Sequence, residues 1–477
     1  MTKDANAKNW TLTLVYGRYY SDPGNEPSTS PTLWVDAATG DDSRSKATVA
    51  ASGGSLPWAT IGRAAWGSTN RASPNTSEAA AAGDIVAVAA GTYSYAGAVN
   101  DRFSPVYNCA NEGTVSNPIV FRAVGNVRLA AVAANSPVIG SSGKDYIRWT
   151  AADRATGRWL IDCDPREAGG DPKTGDVVNT TSDTGPVILH DCVGTWIECS
   201  DVDGGFPIDY TDNWNAFRVE NCSDFVIRNN TAANFTHASG GNHNQSCLTL
   251  YGAAGGLVEH NEFSDSNSGI FFKDTGSTNP QNNNIVRFNR LHDLGEAFAF
   301  SVTTEDRNYI YQNLVYDCAV ALGVTGGGLC NDWVFNNTVY NCGTSCVSLA
   351  NGNGSGGRVW NNIFHTAPLG IFTQVSLPAA TVVSFEHNCY YSMTTFFDSD
   401  ADGSMSFGTF NSTYTDQHAA SPASITTDPL FTNLAGGDYT LQAGSPARNL
   451  AGDPGGFSSL VHAGAYQTGT EVIGVQV

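Results

Sequence analysis

Between residues 215 and 393 the chain alternates short apolar runs with Gly, Asn and Ser turns, and one amide recurs inside the apolar runs. The stretch IVRFNRLHD (Ile285–Asp293) shows the unit. Ile285, Val286, Phe288 and Leu291 read as a buried strand, yet Asn289 sits among them. The segments VIRNNTAA, VEHNEF, VRFNRL, IYQNLV, VFNNTV, VWNNIF and FEHNCY align on that amide. They place Asn230, Asn261, Asn289, Asn313, Asn337, Asn362 and Asn388 in register, at spacings of 31, 28, 24, 24, 25 and 26 residues. An apolar residue stands three positions before each (Ile227, Val258, Val286, Ile310, Val334, Val359, Phe385), and another two after (Ala232, Phe263, Leu291, Val315, Val339, Phe364, Tyr390). Upstream, a second alternating strand turns inward Phe217/Val219, Leu248/Leu250, Ile270/Phe272, Phe298/Phe300, Leu322/Val324, Val347/Leu349 and Ile371/Thr373. Such alternation buries one face and wets the other.

A period in the twenties built of β-like runs predicts a coil of parallel strands, one rung per repeat, with rungs about 4.8 Å apart. No window carries the period of about 3.6 residues that a helical solenoid needs. The buried amides then have a physical reason. At the same corner of every rung, each bonds to the next and to backbone, which satisfies a polar group inside an apolar column. Asn also tolerates the left-handed backbone of a tight bend.

Here the chain resembles the right-handed parallel β-helix proteins of the pectate-lyase-like superfamily, a group that extends to tailspike-like proteins of phage. LWVDAATGDD, PWATIGRAAW and AAGDIVAVAAGTYS (within Leu33–Ser94) resemble the usual opening: a first strand, a Gly/Asp loop, a capping helix near ATIGRAAW and the first full coil. NPIVFRAVG (Asn117–Gly125) resembles a later coil. TDPLFTNLAGGDYTLQAGSPARNLA (Thr427–Ala451) with GAYQ at Gly464 resembles the closing segment. The implied fold class is all-β, a single right-handed parallel β-helix with an N-terminal cap and a C-terminal closing segment. Residues 1–32 form an arm or anchor, 33–125 the cap and first coils, and 126–214 coils with irregular insertions. Residues 215–393 form the regular rungs, and 394–477 an insertion followed by the closing segment. The fold hosts lyases, hydrolases, epimerases and non-catalytic spikes, so activity must be argued from the site.

Composition narrows the partners. A net charge of −21 and a pI near 4.6 argue against nucleic acid and against an anionic membrane surface. A local basic groove on such a body still admits an acidic polysaccharide. The 11 cysteines are scattered without a C-x-x-C pair, which suits reduced thiols packed as small hydrophobes. No run approaches 18 apolar residues, and MTKDANAKNWTLTLVYGRYY lacks the apolar stretch of a signal peptide.

Function on a solenoid sits on its outer columns. One column follows the upstream strand: Glu220, Tyr251, Lys273, Ser301, Thr325, Ala350, Gln374, with Arg218 and Phe271 one outward position earlier. The resemblance implies lyase chemistry on uronic acids, in which a basic residue takes the proton beside a carboxylate that Arg or Ca²⁺ neutralises. Lys273 as base with Arg218 and Tyr251 assisting suits that. A hydrolase would instead pair Glu220 with Asp224 or Asp274. A solvated polar face is the plain alternative.

The second column lies two residues before each ladder Asn: Arg228, Glu259, Arg287, Tyr311, Phe335, Trp360, Glu386. Tyr311, Phe335 and Trp360 form an aromatic strip that reads as a sugar platform, a subunit interface or packing under a loop such as 393–426. His237 and His243 share a protruding loop without a third metal ligand. Asp398, Asp400 and Asp402 before Gly403 have the spacing of a Ca²⁺ loop start, but Thr409 stands where a bidentate Glu belongs. Any Ca²⁺ there would be structural, and no cofactor is otherwise required.

The expectation is a virion-associated β-helix, spike-like and homotrimeric, that binds and in some such proteins degrades bacterial surface polysaccharide. It would attach to other virion proteins through the arm. The alternatives are a free secreted polysaccharide lyase or glycoside hydrolase, and a non-catalytic structural protein of a virus particle.

Overall fold

In the computed structural model, residues 30–95, 101–131, 136–163, 185–205, 213–237, 243–273, 282–302, 307–327, 329, 331–349, 356–374, 383–414, 424–452 and 460–476 are described. So are three short strands nearer the start, Thr2–Lys3, Trp10–Thr13 and Tyr19–Ser21. Those three pair antiparallel as a small sheet, so the single apolar strand expected in the arm folds as a hairpin. All other long-range pairing from Leu33 to Ser399 is parallel.

Each rung contributes to three sheets. The first runs through 187–190, 214–220, 245–251, 268–273, 296–302, 320–327, 345–349, 369–373 and 395–399. The second carries the residues before each ladder Asn, and the third those after it. The inward positions stack as their alternation requires. Phe217, Leu248, Ile270, Phe298, Leu322, Val347 and Ile371 lie in one register line, and Ile227, Val258, Val286, Ile310, Val334, Val359 and Phe385 in another. Phe272 and Phe300 stack at 4.6 Å with rings 4° from parallel.

The amide ladder is continuous. Asn230 Nδ2 donates to Asn261 Oδ1 at 3.1 Å, and the same contact repeats through Asn289, Asn313, Asn337, Asn362 and Asn388 at 2.9, 2.9, 2.9, 3.0 and 3.2 Å. Each Oδ1 also accepts the backbone N–H of the preceding ladder Asn, and each Nδ2 also reaches a carbonyl of the preceding rung, as Asn289 does to Val258 O at 3.0 Å. Ser200 N–H caps one end on Asn230 Oδ1 and Ser424 Oγ caps the other on Asn388 N–H. The ladder Asn does not take the left-handed bend. The residue before it does: Asn229, His260, Phe288, Gln312, Asn336, Asn361 and His387 all have φ between 53° and 58°. The ladder side chain fixes the corner, and its neighbour absorbs the turn.

A shorter ladder, missed in the sequence, stands at the corner between the first and second sheets. Asn284 Nδ2 donates to Asn308 Oδ1 at 2.9 Å, and Asn308 Nδ2 to Asp332 Oδ1 at 2.8 Å. Asp332 is fully buried, and its Oδ2 has no partner among the described residues. Burial pushes its carboxyl up to about 7, against the Asn308 hydrogen bonds that favour the charged form.

The aromatic strip is not a surface. Tyr311, Phe335 and Trp360 share the expected column but are buried in one cluster with Trp196, Tyr309, Trp333 and Leu460. The charges before them are buried as well. Arg228 bonds Glu198 at 2.5 Å, Arg287 bonds Glu259 at 2.8 Å, and Arg287 reaches the Tyr311 hydroxyl at 3.4 Å. Burial alone would raise Glu259, but the neighbouring cations, Arg287 first, hold it at about 2.

The closing segment covers the adjoining corner by running back along the coil. Gly464 N–H bonds Asn361 O, His462 O accepts from Asn336, Ala465 O from Gln312, and Phe288 O from Gly474; Gln476 N–H reaches Asn229 Oδ1. The strap thus binds the left-handed residues one after another. The strip is therefore packed within the chain, with Leu460 of the C-terminal segment in its cluster, and offers no open sugar platform or subunit contact.

The expected cap helix is Ile61–Trp66, started by Thr60 accepting from Arg63 N–H and stopped at left-handed Gly67. A second short helix, Lys46–Ala51, precedes it, and the 394–426 insertion contains a helix at Phe407–Tyr414. Among the described residues no helix is long and apolar enough to cross a membrane.

Two stability measurements follow from the ladders. Asn289→Ala leaves the Asn261 amide donors unpaired in a dry corner and should cost about 2–6 kcal/mol, at about 1–3 per orphaned group, read as a lowered denaturation midpoint. Asp332 titrates higher in the folded chain than its ordinary 3.8. Its protonated form therefore supports folding below that value, and stability is lost as pH rises towards about 7. Asp332→Asn should match the wild type near pH 4 and exceed it increasingly up to neutrality, by roughly 4 kcal/mol at about 1.4 per unit. A wild-type difference that is flat with pH would contradict this placement.

Candidate functional site

The first sheet's outer face brings the four candidate residues together on three adjacent rungs. Glu220, Tyr251 and Lys273 are paired in register, and Ser301 follows. Beyond it the column departs from the sequence expectation. A bulge after Phe300 sets Ser301 opposite Gly326, so Thr325 leaves the line. Asp274 and Ala350 lie outside the described residues.

Arg218 Nε bonds Glu220 Oε2 at 2.8 Å, and both side chains are buried. The guanidinium lies 5.2 Å from the centre of the Tyr251 ring. The Lys273 ammonium, one rung on, lies 5.6 Å from that ring and 5.6 Å from Phe271. Tyr251 is therefore flanked by cations from two neighbouring rungs, both drawn to its electron-rich face. Beneath them a polar net ties the rungs: Asn215 Nδ2 donates to Ser246 Oγ at 3.0 Å, and Ser246 and Thr249 hydroxyls meet at 2.7 Å.

His243 and Asn244, at the end of the segment that carries the histidines, reach this face. Lys273 Nζ donates to Asn244 Oδ1 at 2.9 Å. The adjacent His243 lies 5.9 Å from the Phe271 ring, and its Nδ1 is 2.9 Å from Glu296 Oε2, close enough for an ion pair but off the line of a hydrogen bond. His237 stands half-buried before residues 238–242, which lie outside the described residues. Sequence reasoning missed Asn244 and Glu296. Glu296 lies 53 residues from His243 and carries no local signal, though glycine at Gly323 is one in hindsight: a Cβ there would sit 2.4 Å from Glu296 Oε2.

This arrangement bears on the chemistry. Glu220 is held by Arg218, and Asp224 lies in a left-handed bend against Gly255, while Asp274, the other carboxylate a hydrolase could pair with Glu220, lies outside the described residues. Calcium takes about six to eight oxygen ligands. This face offers two cations, a phenol and a carboxylate already paired, a donor set that does not fit Ca²⁺. Among the described residues no group of three His, Cys, Asp or Glu is placed to hold a metal. In the Asp398–Asp402 turn, Asp398 accepts from Ser404, and Ser399 Oγ accepts from Asp402 N–H.

A groove of about 430 Å³ opens on the third sheet, lined by Asp162, Asp201, Asp203, Thr231, Glu262 and His292 among others. Most of its carboxylates are paired with cations: Arg128 with Asp162, Arg154 and Arg158 with Asp201, and Arg290 and His292 with Glu262, while Asp203 accepts from the Asn234 amide. The His292 hydrogen bond holds Glu262 below the usual carboxylate range.

No protein-family model matches the sequence, and no curated protein matches it. Among solved structures, pectate lyase Pel9A superposes over 92% of this chain and 97% of its own with a TM-score of 0.54 at 12% identity. A mannuronic acid specific family 6 polysaccharide lyase from human gut microbiota has a TM-score of 0.43 at 13% identity, over 66% of this chain and 69% of its own. The family 6 lyase Pedsa3628 from Pseudopedobacter saltans gives 0.39 at 10%, over 79% and 97%. The pectate lyase superposition fixes the fold as a right-handed parallel β-helix.

Gly323→Ala tests the His243–Glu296 contact. The added Cβ meets the end of a flexible side chain, so stability should change by less than about 1 kcal/mol. The His243 ring signals followed by NMR should nevertheless move to match those of Glu296→Gln. Signals that stay at the wild-type position would show that Glu296 does not sit over Gly323.

Proposed function

We propose that the protein acts on an acidic polysaccharide laid along the outer face of the first sheet, and that the chemistry is β-elimination at a uronic acid residue. The observation that carries this is the Tyr251 ring set between the Arg218 guanidinium and the Lys273 ammonium, a cationic patch on a body of net charge −21. The fold shared with a pectate lyase supports it. In such a step a base takes the proton beside the sugar carboxylate, the glycosidic C–O bond opens to leave a double bond, and the departing oxygen takes up a proton. Lys273, which takes the proton in its neutral amine form, is the candidate base, presented half-buried at the surface and aimed by Asn244. Arg218, tied to Glu220 and buried, positions Tyr251 and supplies local positive charge.

The narrower reading places the protein on a phage particle as a trimeric spike gripping bacterial surface polysaccharide. It rests on the sequence alone, since the aromatic strip that suggested a subunit contact is packed inside one chain. Light scattering separates the two settings: a trimer supports the spike and a monomer the free enzyme.

Incubation with polyuronates, followed by the ultraviolet absorbance of the unsaturated product, tests the activity. Lys273→Ala should slow it by about 10²–10⁴-fold, and Asn244→Ala by less. Undiminished turnover in Lys273→Ala would overturn the assignment. Absence of both turnover and binding across polyuronates would overturn the function.

A further inference from the structure

We propose that Cys192 and Cys222 are a disulfide site, joined between adjacent rungs at the rim of the first sheet when the protein folds in an oxidising medium. The two sulfurs lie 3.4 Å apart and both side chains are buried. The residues are 30 apart in sequence but neighbours in the coil: Val193 pairs with Ser223, and Ser223 N–H bonds Cys192 O at 3.2 Å. Rungs about 4.8 Å apart place the two Cα atoms within the window of about 4.4–6.8 Å that a disulfide spans. The bond length is about 2.0 Å, so the sulfurs need approach by roughly 1.4 Å, a matter of side-chain rotation. Ala253 occupies the next rung of this column, so the pair has no third thiol above it.

The chemistry balances with a disulfide oxidant such as oxidised glutathione. Each thiol gives up its hydrogen, the Sγ–Sγ bond forms, and one glutathione disulfide is reduced to two thiols. Burial raises the Cys222 thiol, so the folded chain holds little thiolate and the bond should form fastest during folding. Cys222 Sγ donates to Glu220 O at 3.1 Å, and His190 pairs with Glu220 in register. The link would therefore pin together the strand ends beside the Arg218–Glu220 pair.

The test refolds the full chain in a glutathione redox buffer, alkylates the remaining thiols, and maps peptides by mass spectrometry. The expected result is one peptide pair joined through Cys192 and Cys222, lighter by two hydrogen atoms. The melting temperature should be raised by a few degrees over the reduced protein, because the link closes a 30-residue loop in the unfolded chain. Cys192→Ala and Cys222→Ala, made separately, should each abolish both effects, and the reduced forms provide the folding control. Cysteines 192 and 222 recovered fully alkylated would overturn the proposal. So would a link formed instead within the Cys342–Cys346 pair.

Discussion

The architecture depends on one constraint: an amide in a dry corner has to be satisfied by another copy of itself. Asn261, Asn289 and their counterparts are buried, and each donates to the next rung and accepts from the one before. A rung shifted by one residue would put carbon where the neighbouring amide requires a partner, and would turn its inward side chains to the outside. The ladder therefore fixes register along the whole coil, while rung length varies from 24 to 31 residues. The variation falls away from that corner, in the segments flanking the first sheet.

The ends of such a ladder follow from the same constraint. The main ladder ends in a hydroxyl, Ser424 Oγ, and begins from a backbone donor, Ser200 N–H. The shorter one ends in Asp332, where both Asn308 donors meet Oδ1 and Oδ2 has no partner among the described residues. Gly357 takes the next position in that column and offers no side chain to continue it. An acid at the terminus makes the corner sensitive to pH in a way that a serine does not.

What the sequence reveals follows from how far each property reaches. Inward positions such as Phe217, Leu248 and Ile270 are legible because alternation is local and each rung repeats it. The exposure of an outward column is not local. Tyr311, Phe335 and Trp360 alternate like surface residues, yet their column is sealed, and the strap that bonds the adjoining corner is distant in sequence: Gln312 meets Ala465 and Asn336 meets His462. Nothing in the pattern around Tyr311 records a partner 150 or so residues away. The column of Glu220, Tyr251 and Lys273 was legible as a line of neighbours, but the partners that set its chemistry, Asn244 and Glu296, come from a loop and from another rung. The left-handed bend was assigned one residue late for a related reason: the ladder side chain and the turn are separate tasks, held by adjacent residues.

The three outer faces differ in what packs against them. On the second sheet's face Arg228 and Arg287 are matched by Glu198 and Glu259, Arg148 and Arg358 lie over the tryptophan rings, and the aromatics share one buried cluster with Leu460. The third sheet's groove is open, but its carboxylates are each met by an arginine, a histidine or an amide. On the first sheet's face, Lys273 meets the Asn244 amide oxygen and the rings of Tyr251 and Phe271. The fixed register of the coil holds Lys273 one rung from Tyr251 and two from Glu220, so the geometry of this column is set by the same amides that hold the rungs in line.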